Sequence, residues 1–207
     1  MKRKFHDVDQ SDESWLELRR GFITSSNYPK IMANAPGKFG NPAMEYCMRI
    51  ALEGKTNRSV ETYTNSWMER GLELEADARH MYSDLTFTDV INGGFMEMGR
   101  FGSSSDGLVE ADGMIEIKCQ KFNVHFEQLR KGGINSAYKW QLIGQLYIYD
   151  RQWVDFLSYC PDFPHNKQLY IFRVERDLDK ENQMIERLNQ FTKEVDLFIN
   201  ILDSFFP

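Results

Sequence analysis

Residues 103–118 read Ser-Ser-Ser-Asp-Gly-Leu-Val-Glu-Ala-Asp-Gly-Met-Ile-Glu-Ile-Lys. Two short apolar segments flank Asp112-Gly113, a dipeptide that supplies the positive φ of a tight hairpin turn. Because side chains alternate faces along a strand, Glu116 and Lys118 point the same way. In such a hairpin Asp106 returns beside Glu116. We therefore predict that two carboxylates and one ammonium group converge at one end of a sheet, which is costly to bury without a bound metal ion.

The composition of the chain indicates a globular protein. Of its 207 residues, 42% are hydrophobic and 14% are aromatic, which is enough for a core and argues against disorder. We expect one domain spanning residues 1–207. No run approaches the ~20 apolar residues of a membrane span, and no apolar stretch follows the basic N-terminus, so we expect neither a membrane segment nor a secretory signal. Three widely spaced cysteines match no zinc or iron–sulfur pattern and favour a reduced, cytoplasmic protein.

The net charge of −6 argues against a protein that coats nucleic acid without specificity. It does not exclude a nuclease, because metal-binding carboxylates add to the negative total. A local basic surface is also compatible with an acidic whole.

The hydrophobic pattern predicts helices separated by strands. Apolar residues recur at helical spacing in six segments, namely residues 14–20, 28–33, 43–52, 67–85, 136–149 and a long segment capped by Asp177 or Asp179. A short helix is also expected at residues 125–129. Strand-like segments occur at residues 87–101, 106–118, 153–159 and 168–174. This order predicts an α/β protein with a mixed central sheet flanked by helices.

The pattern Asp-(nine residues)-Glu-Ile-Lys on a hairpin suits phosphodiester hydrolysis. One or two divalent ions held by carboxylates can activate water, neutralise the phosphate and assist the leaving oxygen. Carboxylate and carbonyl oxygens favour Mg²⁺ or Mn²⁺ over zinc, and a nearby lysine can orient water or stabilise the transition state. The competing interpretation is a solvated hairpin with a surface salt bridge.

Four segments, in order, resemble the lambda-exonuclease (YqaJ-type viral recombinase) family of the PD-(D/E)XK nuclease superfamily. Residues 15–26 are similar to the family's W-x-x-x-R-x-G-x-I-T-[AG]-S opening, and residues 70–79 to its G-x-x-x-E-x-x-A helix. Residues 104–107 lead to Glu116-Ile117-Lys118-Cys119, which matches the metal motif. Residues 138–145 and the strand after them resemble the Y-x-x-Q-x-Q helix and its strand. The four segments together cover roughly residues 15–161.

The resemblance implies a PD-(D/E)XK restriction-endonuclease-like core and assigns roles within it. Asp106 and Glu116 would bind the metal directly, with the backbone carbonyl of Ile117 as a third ligand. Lys118 would be the catalytic lysine. Glu75 would serve a second metal ion or its bound water, and Gln141 would hold water or substrate at the edge of the site. Without the family, Glu75 reads as an exposed helix residue and Gln141 as a polar residue packed at an interface.

The resemblance also implies a pocket for a terminal 5′-phosphate. Arg19, Ser26 and Ser104 match the family's phosphate-binding positions. A guanidinium fork suits a phosphate, and a hydroxyl-rich turn at a helix start offers further donors. The alternatives are an ordinary surface arginine for Arg19 and a simple helix cap for Ser26.

The chain departs from the family pattern at three positions. Ser105 and Gln120 replace prolines, and Val124 stands where a phosphate-binding arginine is expected. Lys121 or His125 could substitute for that arginine. We otherwise expect the three separated histidines to lie on the surface or in loops, namely His80, His125 and His165.

The resemblance implies an Mg²⁺-dependent 5′-to-3′ exodeoxyribonuclease, with Mn²⁺ as a possible replacement and two ions in the site. It would degrade one strand of linear double-stranded DNA to 5′-mononucleotides and leave a 3′ single strand for phage recombination. A DNA-threading homotrimer, a single-strand annealing partner and an origin in a phage or prophage acting in the bacterial cytoplasm are implied as well.

Three other functions are weighed against this one. A different PD-(D/E)XK endonuclease is the nearest rival, and cleavage of closed circular DNA would favour it. A Cas4-like nuclease is disfavoured because its cluster needs four cysteines and the chain has three. A non-catalytic DNA-binding module is disfavoured because Asp106, Glu116 and Lys118 are all present.

Overall fold

The computed structural model describes residues 1–60 and 66–205, without the side chains of residues 66–70, 72, 73 and 205. The helices of this part of the chain are α1 (Glu13–Arg19), α2 (Tyr28–Met32), α3 (Asn41–Thr56), α4 (Ser66–Thr86), α5 (Phe122–Lys131), α6 (Lys139–Tyr149) and α7 (Leu178–Phe205). Its strands are β1 (Arg3–His6), β2 (Ile23–Thr24), β3 (Val90–Ile91), β4 (Phe95–Met98), β5 (Phe101–Ser104), β6 (Gly107–Val109), β7 (Gly113–Cys119), β8 (Trp153–Tyr159) and β9 (Leu169–Glu175). The predicted α/β class is confirmed.

The strands form two mixed sheets. A four-stranded sheet has the order β1-β4-β5-β2, and a five-stranded sheet has the order β3-β6-β7-β8-β9. In the larger sheet β7 and β8 are parallel, whereas β6–β7 and β8–β9 are antiparallel. The chain passes from the smaller sheet to the larger one between β5 and β6, and Asp106 lies at that passage.

The hairpin of β6 and β7 has the predicted pairing but a different turn. Gly107 pairs with Ile115, so Asp106 and Glu116 occupy the next opposed positions. The positive φ of the turn belongs to Glu110, at 49°, and not to Gly113 as the Asp-Gly pattern predicted. Gly113 is required for a different reason, since a Cβ there would lie 2.0 Å from the Trp153 ring. Its smallness allows β8 to pack close to the hairpin.

Local signals account for the helix ends. Pro42 lies in the first turn of α3, and Asn57 ends this helix in the left-handed conformation. Between these signals α3 is longer at both ends than the predicted helix at 43–52. Asp177 caps α7 by accepting a hydrogen bond from the Lys180 backbone N–H at 3.0 Å. The predicted helix at 136–149 begins as a 3₁₀ turn before α6. The short helix expected at 125–129 is the longer α5, which ends at Gly132 with φ 71°.

The strands β1 and β2 were not predicted. β1 pairs antiparallel with β4, and Arg3 donates to the backbone carbonyl of Ile148 at 3.0 Å. β2 pairs parallel with β5 and places Ile23-Thr24 beside Phe101-Gly102. Both strands are short and one is basic, so their pairing depends on distant partners and not on a local pattern.

Two hydrophobic clusters cover the faces of the larger sheet. One cluster joins α2, α3, α6 and α7 to the face that includes Met114 and Phe156, and the other joins α4 to the face of Ile115 and Leu157. Of the aromatic residues expected in the core, Phe95, Phe101 and Tyr149 are buried. Trp140, Tyr147 and Trp153 are half-buried. Among the described residues, no helix combines the length and apolar character needed to span a bilayer.

Candidate functional site

Asp106 is held in a fixed orientation at the passage between the sheets. One of its carboxylate oxygens accepts the backbone N–H of Ile117 at 2.6 Å, and the other accepts the side-chain amide of Gln10 at 3.0 Å. The residue is only 7% exposed. In the hydrogen bond from the Ile117 N–H, the Asp106 carboxylate takes the place of a backbone carbonyl and continues the β6–β7 pairing. The register of the hairpin therefore positions the carboxylate.

Glu116 is the most enclosed carboxylate of the site, at 2% exposure. Its Oε1 accepts the Gln141 amide at 2.6 Å and the Lys118 ammonium, and its Oε2 accepts the Gln145 amide. Gln141 and Gln145 lie one turn apart on α6 and therefore present their amides together. Gly144 allows this helix to approach α2, because a Cβ there would lie 2.5 Å from the Tyr28 ring.

The carboxyl groups of this cluster repel one another, and their pKa values show it. Burial, followed by repulsion from Asp106, raises the pKa of Glu75 to about 8. Burial, followed by repulsion from Glu116, raises the pKa of Asp106 to about 6. Burial acts to lower the pKa of Lys118, but the carboxylates of Glu116 and Asp106 outweigh it and raise that pKa above its ordinary value. Lys118 and Arg79 act to lower the pKa of Glu75, but burial and repulsion between the carboxyl groups outweigh them, and a divalent cation would relieve that repulsion.

The donor set fits a hard divalent ion. Carboxylate oxygens are the ligands that Mg²⁺ and Mn²⁺ prefer. The side-chain carbonyl oxygen of Gln145 is also buried without a hydrogen-bond partner among the described residues. Within that same part of the chain, no three His, Cys, Asp or Glu side chains are grouped closely enough to form a complete metal site. Asp106 and Glu116 therefore remain the predicted ligand pair, and the roles of Glu75 and the Ile117 carbonyl remain predictions.

Arg19, Ser26 and Ser104 form a second cluster. The Arg19 guanidinium donates to the Ser104 hydroxyl at 2.9 Å and to the Ser26 hydroxyl at 3.4 Å. It also lies 4.2 Å from the centre of the Trp15 ring, whose indole N–H donates to Ser104 at 2.9 Å. Burial lowers the pKa of Arg19. A cation with hydroxyl and aromatic neighbours is suited to an anion such as phosphate.

The two clusters are adjacent because residues 103–106 contribute to both. Gln145 donates to the backbone carbonyl of Ser104 at 3.0 Å while it also contacts Glu116. The buried hydroxyls of Ser25 and Ser103 lie 2.6 Å apart and join the turn after β2 to β5. A negative cluster and a guanidinium pocket thus lie side by side on one framework.

The predicted surface role of His125 is wrong. Its ring is fully buried, with Nδ1 2.8 Å from the Ser158 hydroxyl and Nε2 2.8 Å from the Lys167 carbonyl. His125 is therefore committed to structure and cannot replace the phosphate-binding arginine expected near Val124, whereas Lys121 is exposed. His80 and His165 are exposed, as expected.

Ser105 performs a bridging function where the family has proline. Its hydroxyl lies 2.9 Å from the Gly107 carbonyl and 3.0 Å from the Ile115 carbonyl, and both contacts are buried. This serine thereby links the start of β6 to β7. A proline at this position would constrain the turn through its fixed φ, whereas the Ser105 hydroxyl stabilises the same turn by hydrogen bonding.

Two residues of the site were missed from the sequence. The sequence assigns no role to Gln145, although its spacing of four from Gln141 is a usable signal. Gln10 had no signal, because it precedes the recognised opening motif and reaches Asp106 across 96 positions of the chain. Only the folded structure brings that amide to the site.

Comparisons with known proteins identify the family and the fold. The model of the YqaJ-like viral recombinase domain matches residues 14–152. An alkaline exonuclease (LHK-Exo) from Laribacter hongkongensis is 30% identical, with a TM-score of 0.85 over 93% of this chain and 97% of that chain; its complex with dAMP matches equally well. A phage related exonuclease from Haemophilus somnus 129PT shares the fold at 15% identity, with a TM-score of 0.75 over 89% of this chain and 98% of that one. No curated protein sequence matches significantly.

Proposed function

The chain belongs to the family of YqaJ-like viral recombinase domains, which indicates a nuclease, and on this premise we propose a divalent-metal-dependent 5′-to-3′ exodeoxyribonuclease. It degrades one strand of linear double-stranded DNA to 5′-mononucleotides and leaves a 3′ single strand for recombination. The observation that carries this proposal is the juxtaposition of the carboxylate–lysine cluster with the Arg19 pocket.

In this proposal Asp106, Glu116 and the Ile117 carbonyl would hold Mg²⁺ or Mn²⁺, and Glu75 would serve a second ion directly or through water. Such ions, when bound, would neutralise the phosphate and promote ionisation of the attacking water. Lys118 orients that water and offers positive charge to the phosphoryl oxygens in the transition state. Gln141 fixes the Glu116 carboxylate, which accepts its amide at 2.6 Å, and holds water or substrate at the edge of the site.

The reaction explains why a 5′-phosphate pocket would set the direction. The oxygen of water bonds to phosphorus, the bond from phosphorus to the 3′ oxygen breaks, and that oxygen takes up a proton. The terminal nucleotide leaves with its own 5′-phosphate, and the next nucleotide now carries a new terminal 5′-phosphate. Arg19, Ser26 and Ser104 can bind each new end in turn. The structure of LHK-Exo in complex with dAMP supports a mononucleotide product.

We propose that residues 1–207 form one exonuclease domain, which assembles into a homotrimer around DNA. The net charge of −6 supports enclosure, since broad electrostatic attraction to DNA would be weak. A single-strand annealing recombinase is the proposed partner, and the bacterial cytoplasm the proposed site of action. Lys121 is the remaining candidate for the missing phosphate-binding arginine.

Digestion of linear duplexes labelled at the 5′ or the 3′ end tests activity, metal and direction together. Each duplex should carry either a 5′-phosphate or a 5′-hydroxyl and be incubated with and without Mg²⁺. We expect Mg²⁺-dependent release of 5′-label as mononucleotides, faster from phosphorylated ends. Closed circular DNA should remain intact, and its cleavage would instead indicate an endonuclease. Digestion by Lys118→Ala at the rate of the parent would show that the site is misassigned.

A further inference from the structure

The segment between β1 and α1, residues 7–12, reaches the carboxylate cluster through a single side chain. Gln10 is half-buried, and its amide nitrogen donates to the Asp106 carboxylate at 3.0 Å and to the Ser105 carbonyl at 3.1 Å. Gln10 lies outside the motifs that indicate the nuclease family. The inference that follows rests on the proposed function.

Contacts on both sides of Gln10 hold the segment in place. The Asn92 side-chain amide donates to Asp7 at 2.7 Å and to the Val8 carbonyl at 3.2 Å. On the other side, the Asp9 carboxylate accepts the backbone N–H of Ser11 at 2.8 Å and its hydroxyl at 2.6 Å. These bonds fix the backbone around Gln10, so its amide reaches Asp106 from a defined position.

The chemistry of the contact suits a metal ligand. A carboxylate has about four lone-pair positions on its two oxygens. In Asp106 the Ile117 N–H uses one position on one oxygen and the Gln10 amide uses one on the other. The remaining positions stay available to a cation, and the plane of the carboxylate is fixed. A glutamine amide carries no charge, so it orients Asp106 without neutralising the charge that attracts the ion. Lys118, by contrast, partly neutralises the charge of Glu116.

We infer that Gln10 is a positioning residue of the proposed metal centre, which holds the Asp106 carboxylate in the orientation that binds the divalent ion. Partners that orient metal ligands typically change metal affinity or activity by about 10–100-fold when removed. The competing role is purely structural: Gln10 would tether residues 7–12 and affect folding alone.

Gln10→Met tests this assignment because methionine has a similar length and no N–H donor. We expect the Mg²⁺ concentration for half-maximal hydrolysis to rise about 10–100-fold, and Mn²⁺ binding measured by calorimetry to weaken in parallel. Saturating Mg²⁺ should restore most of the rate. Gln152→Met is the matched control, since Gln152 is exposed and precedes β8 at the end of the sheet away from Lys118. It should leave both measurements unchanged.

A Gln10→Met variant whose Mg²⁺ dependence equals that of the parent would overturn the inference while the nuclease function stood. So would a lowered rate that saturating Mg²⁺ does not restore. Should Gln10→Met fail to fold, Gln10→Asn keeps the amide but shortens its reach, and the same shift in Mg²⁺ dependence is expected at smaller size. A parent protein that neither binds Mn²⁺ nor hydrolyses DNA would defeat the proposed function itself, a result distinct from either of these.

Discussion

Two buried carboxylate clusters lie on opposite faces of the five-stranded sheet, and their charges are compensated differently. Asp155 aligns with Ile115 on the neighbouring strand, so it faces away from Glu116. Arg173 donates to both oxygens of Asp155 at 2.8 Å, and the Tyr82 hydroxyl donates at 2.8 Å. Around Glu116, by contrast, one lysine and neutral amides face several carboxylates.

The difference separates an element of stability from an element of function. The Asp155 charge is matched by a guanidinium in a bidentate pair, so nothing further is required there. Around Glu116 the amides of Gln141 and Gln145 orient the carboxylate without neutralising its charge, and Lys118 supplies one positive charge. A buried site with excess negative charge is costly unless a cation completes it. The same sheet therefore carries one closed ion pair and one carboxylate–lysine cluster, which we propose a cation completes.

The largest expected effect separates the clusters by activity. Glu116→Gln removes a predicted metal ligand while it keeps the shape of the side chain, so we expect hydrolysis to fall about 10³-fold or more. Thermal unfolding of the variant separates this loss from a loss of folding, because Glu116 also accepts the Lys118 ammonium. Asp155→Asn is the control, and its folded protein should hydrolyse DNA at close to the parent rate. Glu116→Gln activity at the parent level would remove the functional side of the comparison.

The next largest effect concerns stability. Asp155→Ala leaves the Tyr82 hydroxyl without its buried acceptor and the Arg173 guanidinium without its partner. We expect the free energy of unfolding in urea to fall by about 2–4 kcal/mol, with most of the catalytic rate retained by the folded fraction. A matched Asp162→Ala change in the exposed loop after β8 should cost little. Full stability in Asp155→Ala would mean that the closed pair contributes nothing.

The sequence predicted the cluster of Asp106, Glu116 and Lys118 better than the Asp155–Arg173 pair. The period of two on β7 was sufficient to place Glu116 with Lys118, and the hairpin was sufficient to bring Asp106 beside them. These are local relations, and a local pattern can report them. Asp155 and Arg173 pair across two strands that no turn signal links, so nothing in the sequence joined them.

Contacts made by distant segments could not be read from the sequence. Gln10 meets Asp106, Arg3 bonds the end of α6, and β1 and β2 exist only because β4 and β5 offer edges for pairing. His125 was misplaced because its apolar neighbours Val124 and Phe126 are themselves exposed, so the apolar pattern gives no sign of which residue is buried. Its enclosure depends on Ser158 and the Lys167 carbonyl, both more than 30 positions away.

A smaller effect links pH to the cation. The pKa of Glu75 is raised from 4.5 to about 8 in the folded protein. Its contribution to stability is therefore full below about pH 4.5 and is lost as the pH rises through about 8. A cation must displace that proton, so Mn²⁺ affinity should rise about tenfold per pH unit from pH 6 to pH 8 and then level off. Calorimetry should show a shallower rise for Glu75→Gln and an unchanged one for Asp155→Asn. Equal Mn²⁺ affinity in the parent at pH 6 and pH 8 would contradict the coupling.

The smallest effect applies the same reasoning to a positive charge. In the described part of the chain Arg19 contacts hydroxyls and an indole but forms no ion pair. Its positive charge is therefore available to a phosphate. Ser26→Ala removes one hydroxyl and should reduce the preference for 5′-phosphate over 5′-hydroxyl ends about fivefold, the worth of one hydrogen bond. Ser204→Ala, whose hydroxyl bonds within α7, should leave that preference unchanged. The ratio of the two digestion rates is the measurement, because a general loss of folding lowers both rates together and leaves their ratio intact. An unchanged ratio in Ser26→Ala would leave Arg19 and Ser104 to recognise the phosphate without this hydroxyl.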